Sequence, residues 1–586
     1  MNRRDFLWLL SSASAAGLFS GCHRGGMRAN PYEAASFGNA RLLHFTDCHA
    51  QLLPIYFREP NVNIGVAAAA GRPPHVVGQR LLDYLQVSAG GLDAHAFTYL
   101  DFAAAAESFG KVGGFAYLTS LIDQMRGEVG EGNSLLLDGG DTWQGSATSL
   151  WTRRRDMVDA CNLLGVDIMT GHWEFTYRDD EVLQNIERFN GEFVAQNVRV
   201  TEDALFDGAT AYDEDSGHAF KPYTMRTVGG RRIAVIGQAF PYTPIANPRR
   251  FIPDWTFGIR DDDLQELVDG IRASEAPDAV VVLSHNGLDV DIKMASRVSG
   301  VDVILGGHTH DGVPKPLLID NASGKTLVTN AGSNGKFLAV LDLDIGEGKV
   351  NDYRYRLLPV FSNLLQPDLE MQAHIAGVRQ PYLEKLEEPL AVAETLLYRR
   401  GNFNGTFDQV ILNALLEVGG AEIALSPGFR WGTSVLPGDT ITMDRVMDQT
   451  AMTYPETYVR EMSGAEIKTI LESVADNLFH TDPYYQQGGD MVRVGGMNYS
   501  CDPIAEMNSR IAAMTLDDGR PIEASKTYKV AGWATVGAKS PGPPVWEIVA
   551  DYLRSEQVVK IDKVNTPVLK NVSANSGLAD YSGLLE

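Results

Sequence analysis

Five apolar runs in this chain end alike: a short stretch rich in Val, Leu and Ile meets a turn, and a side chain able to bind a metal follows. They are Arg41–Thr46 before Asp47-Cys48-His49, Leu135–Leu137 before Asp138-Gly139-Gly140-Asp141, and Ile168–Thr170 before Gly171-His172. The last two are Ala279–Ser284 before His285 and Val301–Leu305 before Gly306-Gly307-His308-Thr309-His310. An α/β sheet delivers ligands in this way, from the carboxyl ends of its strands. Any one such histidine is ordinarily structural. Five coincidences of strand, turn and ligand point instead to one metal centre formed by Asp47, His49, Asp141, His172, His285, His308 and His310. In an extended segment Asp47 and His49 point the same way and Cys48 the other, which makes Cys48 a packed thiol. Asp141 is the candidate for a shared ligand, because a carboxylate has two oxygens and can bridge cations about 3.5 to 4 Å apart.

At 586 residues the chain exceeds what one core organises, so at least two domains are expected. A formal charge of −25 argues against nucleic acid or an anionic membrane surface as partner. Anionic substrates stay open, since bound cations reverse the local sign. Four scattered cysteines give no disulfide framework. Residues 1–25 read as a leader: Arg3-Arg4 precede the apolar run Phe6–Leu18, a twin-arginine export pattern, and Cys22 offers a site for a lipid anchor. That run is too short to span a membrane, no run of 18 apolar residues occurs elsewhere, and the mature chain is expected in the periplasm.

The expected order is a catalytic domain over 38–360 with an Ala- and Gly-rich insertion at 58–111, a helical linker at 361–390, and a second domain over 391–586. Helices are expected at 76–85, 116–125, 157–164 and 181–189, and further strands at 193–196 and 232–237. His75 and His95 in the insertion lack metal spacing and read as structural. Gly-flanked arginines in the second domain are candidates for binding a tetrahedral anion, because backbone and guanidinium can approach it together. Arg399 and Arg430 are the catalytic candidates; Arg400, Asn402, Asn404 and Arg493 are the substrate-binding ones.

The ordered set Asp47-x-His49, Gly140-Asp141, Gly171-His172-x-Glu174, His285 and Gly307-His308-x-His310 resembles the calcineurin-type metallophosphoesterases, and with the large C-terminal half it resembles the 5′-nucleotidase family. The resemblance implies a four-layer αββα domain with two metals, plus a smaller α/β substrate domain. One metal would take Asp47, His49, Asp141 and His310, the other Asp141, His172, His285 and His308. Where the nucleotidases carry Gly-Asn-His-Glu-Phe-Asp, this chain has Gly171-His172-Trp173-Glu174-Phe175-Thr176. The ligand Asn is thus His172, and Trp173 and Thr176 stand for the catalytic His-Asp dyad. Loss of that dyad suits a leaving group that needs no proton. The family's base-stacking Phe positions fall on Thr453 and Met491.

Longer blocks, among them Asp138–Ser146, Thr170–Tyr177 and Arg399–Gly405, resemble the SoxB thiosulfohydrolases. That resemblance implies a hydrolase of thiosulfate oxidation that uses a water activated by two Mn²⁺ ions. Its substrate would be a cysteine-bound thiosulfonate on a SoxYZ-type carrier protein, and sulfate would be released. The ligand types by themselves suit Zn²⁺ or iron as well. The alternative is a periplasmic 5′-nucleotidase or other phosphoesterase.

Overall fold

The computed structural model describes residues 31–583 apart from 34, 538, 539 and 582; the leader and Cys22 lie outside the described residues. Two six-stranded sheets form the centre of the N-terminal lobe. The first runs, in spatial order, Lys349–Pro359, Phe337–Gly346, Ala40–Phe45, Ser134–Asp138, Ile168–Met169 and Glu192–Phe193. The second runs Leu317–Asn321, Gly324–Asn330, Val303–Gly306, Ala279–Ser284, Arg231–Gln238 and Tyr223–Val228. Ala279–Ser284 is buried at every position, and a strand so uniformly apolar can only sit where both faces of the sheet are covered. One face meets the other sheet through Leu42, Leu135, Ile168, Val281, Val303 and Leu341. The outer faces are covered by helices, Phe115–Val129, Arg155–Leu164 and Leu369–Arg379 on the first sheet and Asp261–Ser274 and Leu288–Arg297 on the second. This is the four-layer αββα arrangement.

The ligand-bearing strands run parallel within each sheet: Ala40–Phe45 with Ser134–Asp138, that strand with Ile168–Met169, and Ala279–Ser284 with Val303–Gly306. Parallel strands bring their carboxyl ends to one edge, so the loops that follow them share one rim. The expected strand at 193–196 is shorter, Glu192–Phe193. Beyond it the Gln196 N–H donates to the Gly237 carbonyl at 2.8 Å, so the chain leaves one sheet to meet the other.

The expected insertion carries helices Gln79–Leu85, Leu92–Phe97 and Phe102–Phe109. Its Val62, Ile64 and Val66 join a hydrophobic cluster of the C-terminal lobe with Phe403, Ile423 and Leu578. The segment therefore ties the lobes together. The linker forms helices Leu369–Arg379 and Leu383–Leu386. In the C-terminal lobe, a four-stranded sheet of Thr457–Ser463, Thr527–Trp533, Ile423–Ser426 and Arg493–Gly495 is joined by helices Thr406–Gly419 and Val545–Glu556. No helix among the described residues is long and apolar enough to cross a membrane.

Candidate metal centre

The turns after the strands are not extended. Asp47 (φ 53°), His49 (47°), Asp141 (60°), His308 (73°) and His310 (59°) all have left-handed backbone. The expected reason for pairing Asp47 with His49, alternation along an extended segment, is therefore incorrect; the chain curls back through left-handed residues to aim both inward. Such conformations cost of order 1 kcal/mol or more each outside glycine and persist where the surroundings over-determine them, as at functional sites. Asp and His tolerate them better than most residues. Cys48 is buried in the hydrophobic cluster on the far side, as expected.

All seven side chains meet, and all are buried. They form two groups, Asp47, His49, Asp141 and His310, and His172, His285 and His308; within each, potential ligand atoms lie within 4.8 Å of one another. The Asp141 carboxylate lies between the groups: Oδ2 is 3.5 Å from His49 Nε2, 3.2 Å from His172 Nδ1 and 3.6 Å from His285 Nε2. His49 Nε2 and His310 Nε2 face each other at 2.9 Å. Buried nitrogens are normally hydrogen-bonded, yet among the described residues His285 Nε2, His310 Nδ1 and both nitrogens of His308 have no hydrogen-bond partner. Orphaned imidazoles around a carboxylate fit two divalent cations.

Anchors behind the ligands set which nitrogen points inward. His285 Nδ1 donates to the Gly139 carbonyl at 2.6 Å and His49 Nδ1 to that of Gln144 at 3.2 Å, which leaves each Nε2 for the centre. Asp47 accepts from the Thr46 hydroxyl at 2.6 Å and from the His308 backbone N–H at 2.9 Å. Burial opposes ionisation of Asp47, but His285 and His310 outweigh it and hold the carboxyl below its ordinary value. Burial, with crowding by His172, His285 and Arg430, pushes His308 well down; burial likewise lowers His49, His172 and His310 despite the carboxylates. His285 is the exception: Asp47 and Asp141 overcome its burial and push it up to about 9. Four neutral imidazoles and two ionised carboxylates form a donor set suited to cations at neutral pH.

Sequence reasoning gave Glu174 no role, although it stands in the Gly171-His172-x-Glu174 pattern. Fully buried, its carboxylate accepts backbone N–H groups from Asp141 (3.0 Å), Thr142 (2.9 Å), Trp143 (3.1 Å) and His172 (2.9 Å). It thereby locks two ligand loops to each other. Trp431 was also missed. It follows Arg430 in sequence and stacks on the His49 ring, with centroids 5.1 Å apart.

The C-terminal candidates separate into two sets. Arg400 reaches across to the ligand loop, donating to the Thr309 carbonyl at 2.9 Å and lying 3.3 Å from Asp311. Arg430 donates to the Gly489 carbonyl at 2.7 Å and approaches the His308 carbonyl at 3.4 Å. Both line an interlobe cleft with His308, Thr309 and Asn402. Arg399 is directed elsewhere, to Asp408 (2.7 Å) and the Gln449 carbonyl (2.7 Å), and Arg493 to Asp490 (3.2 Å) and the Gly401 carbonyl (2.9 Å). Asn404 is bonded to the Val494 backbone through both ends of its amide. The expected contact of Arg399, Arg493 and Asn404 with substrate finds no support in this placement, because their polar groups are turned into the lobe. Of the insertion histidines, His95 is sandwiched by Phe102 and Phe109, whereas His75 lines the cleft, paired with Asp289 at 2.9 Å.

Known proteins agree with this architecture. The calcineurin-like phosphoesterase family model matches residues 40–312, and the 5′-nucleotidase C-terminal domain model matches 391–542. The solved sulfate thiohydrolase SoxB of Thermus thermophilus is 37% identical, with a TM-score of 0.86, and the match covers 92% of this chain and 98% of that one. The chain belongs to the SoxB family. A 5′-nucleotidase precursor, also of Thermus thermophilus, shares the fold at 22% identity, TM-score 0.70, over 91% of this chain and 99% of its own. Among curated proteins, the trifunctional nucleotide phosphoesterase YfkN of Bacillus subtilis is 27% identical over 474 residues, 72% of this chain but 31% of YfkN. SoxB-family membership and the two side-chain groups imply a hydrolase fold with a dimetal-type site for divalent ions.

In this SoxB-family chain the residues at the nucleotidase dyad positions are enclosed. Trp173 packs edge-on against Phe429 (5.8 Å) and Trp431 (5.4 Å) and lies beside Tyr454 (6.3 Å). Thr176 shares a 2.6 Å hydroxyl hydrogen bond with Thr453, one of the expected base-stacking positions, and Met491, the other, is fully buried.

Proposed function

We propose that this protein is a metal-dependent thiosulfohydrolase that releases sulfate from a cysteine-bound thiosulfonate on a SoxYZ-type carrier. The observation that carries the reading is Trp173, enclosed by aromatic rings beside His172, where a phosphoesterase of this family would place a proton-transferring histidine. Thr176 next to it cannot take the place of a carboxylate. A site without that histidine and carboxylate favours a leaving group stable as an anion, and a thiolate or persulfide is far less basic than an alkoxide. The extensive likeness to a sulfate thiohydrolase supports the same substrate class.

In the reaction a water oxygen bonds to the terminal sulfonate sulfur, the S–S bond breaks, and its electron pair stays with the carrier sulfur. Sulfate leaves, the protons of water are released, and no external oxidant or reductant is required. Asp47, His49, Asp141 and His310 would hold one cation, and Asp141, His172, His285 and His308 the other. Two such cations lower the pKa of water toward neutrality and offset the charge on the sulfonate oxygens. Arg400 and Arg430 add positive charge at the cleft side of His308, and Asn402 lines the same wall. Mn²⁺ is the cation proposed, and the twin-arginine leader would carry the folded protein to the periplasm.

A 5′-nucleotidase or related phosphoesterase activity is the competing reading, favoured by the matched C-terminal domain model and the curated relatives. Sulfate release from thiosulfonated carrier, assayed beside AMP and other phosphate esters in the presence of Mn²⁺, separates the two. The thiosulfohydrolase reading expects turnover of the carrier and little of AMP. Substantial AMP hydrolysis with an inert carrier would sink it.

A further inference from the structure

The C-terminal lobe does more than wall the cleft, because it touches one imidazole of each ligand group. Trp431, itself buried, lies over the face of His49 with rings 30° apart, and Phe429 backs it with centroids 4.1 Å apart and planes 17° apart. On its own lobe His49 has the Gln144 carbonyl as its ring anchor. At the other group, Gly488 of the C-terminal lobe abuts His308 so closely that a Cβ added there would stand 1.9 Å from Nε2. Phe240 covers the His308 face at 4.1 Å. Among the described residues neither ring nitrogen of His308 makes a hydrogen bond, and ring packing together with the close approach of Gly488 restrains its rotation.

Gly488 lies on a segment latched across the lobes. Lys293 Nζ on the N-terminal lobe meets Asp482 Oδ1 at 2.6 Å and sits over the Tyr484 ring at 3.9 Å, and the Tyr484 hydroxyl donates to Asp261 at 3.0 Å. Parting of the lobes would thus remove the support of His49 and His308 together.

We infer that Trp431 and Gly488 are positioning residues for the metal pair, so that cations are retained by lobe closure and, reciprocally, cations hold the lobes closed. This rests on the dimetal reading of the site. Groups that orient metal ligands without touching the metal typically matter by about 10- to 100-fold in affinity. Binding linkage requires that whatever strengthens metal retention in the closed form also favours closure when metal is bound.

The test uses the full mature chain loaded with Mn²⁺, placed in excess chelator, desalted at intervals and assayed for protein-bound metal by elemental analysis. Trp431→Ala and Gly488→Ala are expected to release metal about 10- to 100-fold faster than the unsubstituted protein. Trp431→Phe, which keeps a ring over His49, should stay within about threefold of it, a rescue that a merely structural role would not single out. Asp482→Asn lies away from the ligands and only loosens the latch; an increase of up to about fivefold is expected, and it keeps the test decisive where Trp431→Ala fails to fold. Unchanged release in Gly488→Ala and Asp482→Asn overturns the inference while leaving the dimetal reading standing. Failure of the unsubstituted protein to retain any divalent metal overturns both.

Discussion

The two lobes present charged residues beside glycines in much the same way, yet use them differently. In the N-terminal lobe the seven candidates that follow the strands all reach the centre: Asp47, His49, Asp141, His172, His285, His308 and His310 converge. In the C-terminal lobe Arg400 and Arg430 face the cleft, while Arg399 and Arg493 turn inward to Asp408 and Asp490. The difference lies in what fixes each side chain. A ligand at the end of a parallel strand is aimed by the sheet, whereas a long guanidinium goes to the carboxylate that tertiary packing places nearest.

The sharpest way to break the comparison is to remove the residue between the two ligand groups. Asp141→Ala should lower kcat/KM by on the order of 10³-fold and reduce bound metal below two per chain, measured by kinetics and elemental analysis. Next comes Glu174→Ala, which strips the acceptor from four buried backbone N–H groups. A loss of at least about 3 kcal/mol in denaturant unfolding is expected, together with metal loss, because each unsatisfied buried donor costs about 1 to 3 kcal/mol.

A paired substitution separates the arginines. Arg399→Gln leaves Asp408 with its charge less compensated in the interior and should cost about 3 kcal/mol of stability, with activity per folded molecule preserved. Arg430→Gln should do the reverse: a fall of about 10- to 100-fold in kcat/KM with a small change in the unfolding midpoint. Equal behaviour of the two would dissolve the proposed division.

The smallest effect concerns Asp291, beneath the second group, where burial pushes the carboxyl up to about 7 although Ser284 and Asn286 donate to it. A folded pKa above the unfolded value of about 3.9 contributes stability that is complete below pH about 4 and is lost as pH rises through about 7. Asp291→Asn should therefore flatten the stability profile between those limits and leave the protein about 1 kcal/mol more stable at pH 8, as read by denaturant titrations across pH.

The apolar runs and turn residues made the ligand-bearing strands of an α/β sheet legible, because a fully apolar strand belongs where both faces are covered, whereas the four-layer arrangement was expected from the family resemblance. Glu174 went unassigned because its partners are backbone amides, which any sequence possesses. Trp431 was hidden for a related reason: no local pattern shows which distant imidazole a ring will cover. His75 lacked metal spacing, yet packing sets it in the cleft against Asp289, more than two hundred residues away.

From the sequence alone came the strand order of the ligands and the seven side chains that meet, since strand-end chemistry is local and the sheet converts it into position. Only the tertiary structure decided that the ligand turns are left-handed, which arginines face the cleft, and that the second lobe bears on His49 and His308. Those outcomes depend on contacts between residues far apart in the chain, where burial and charge pairing, rather than spacing, choose the partner.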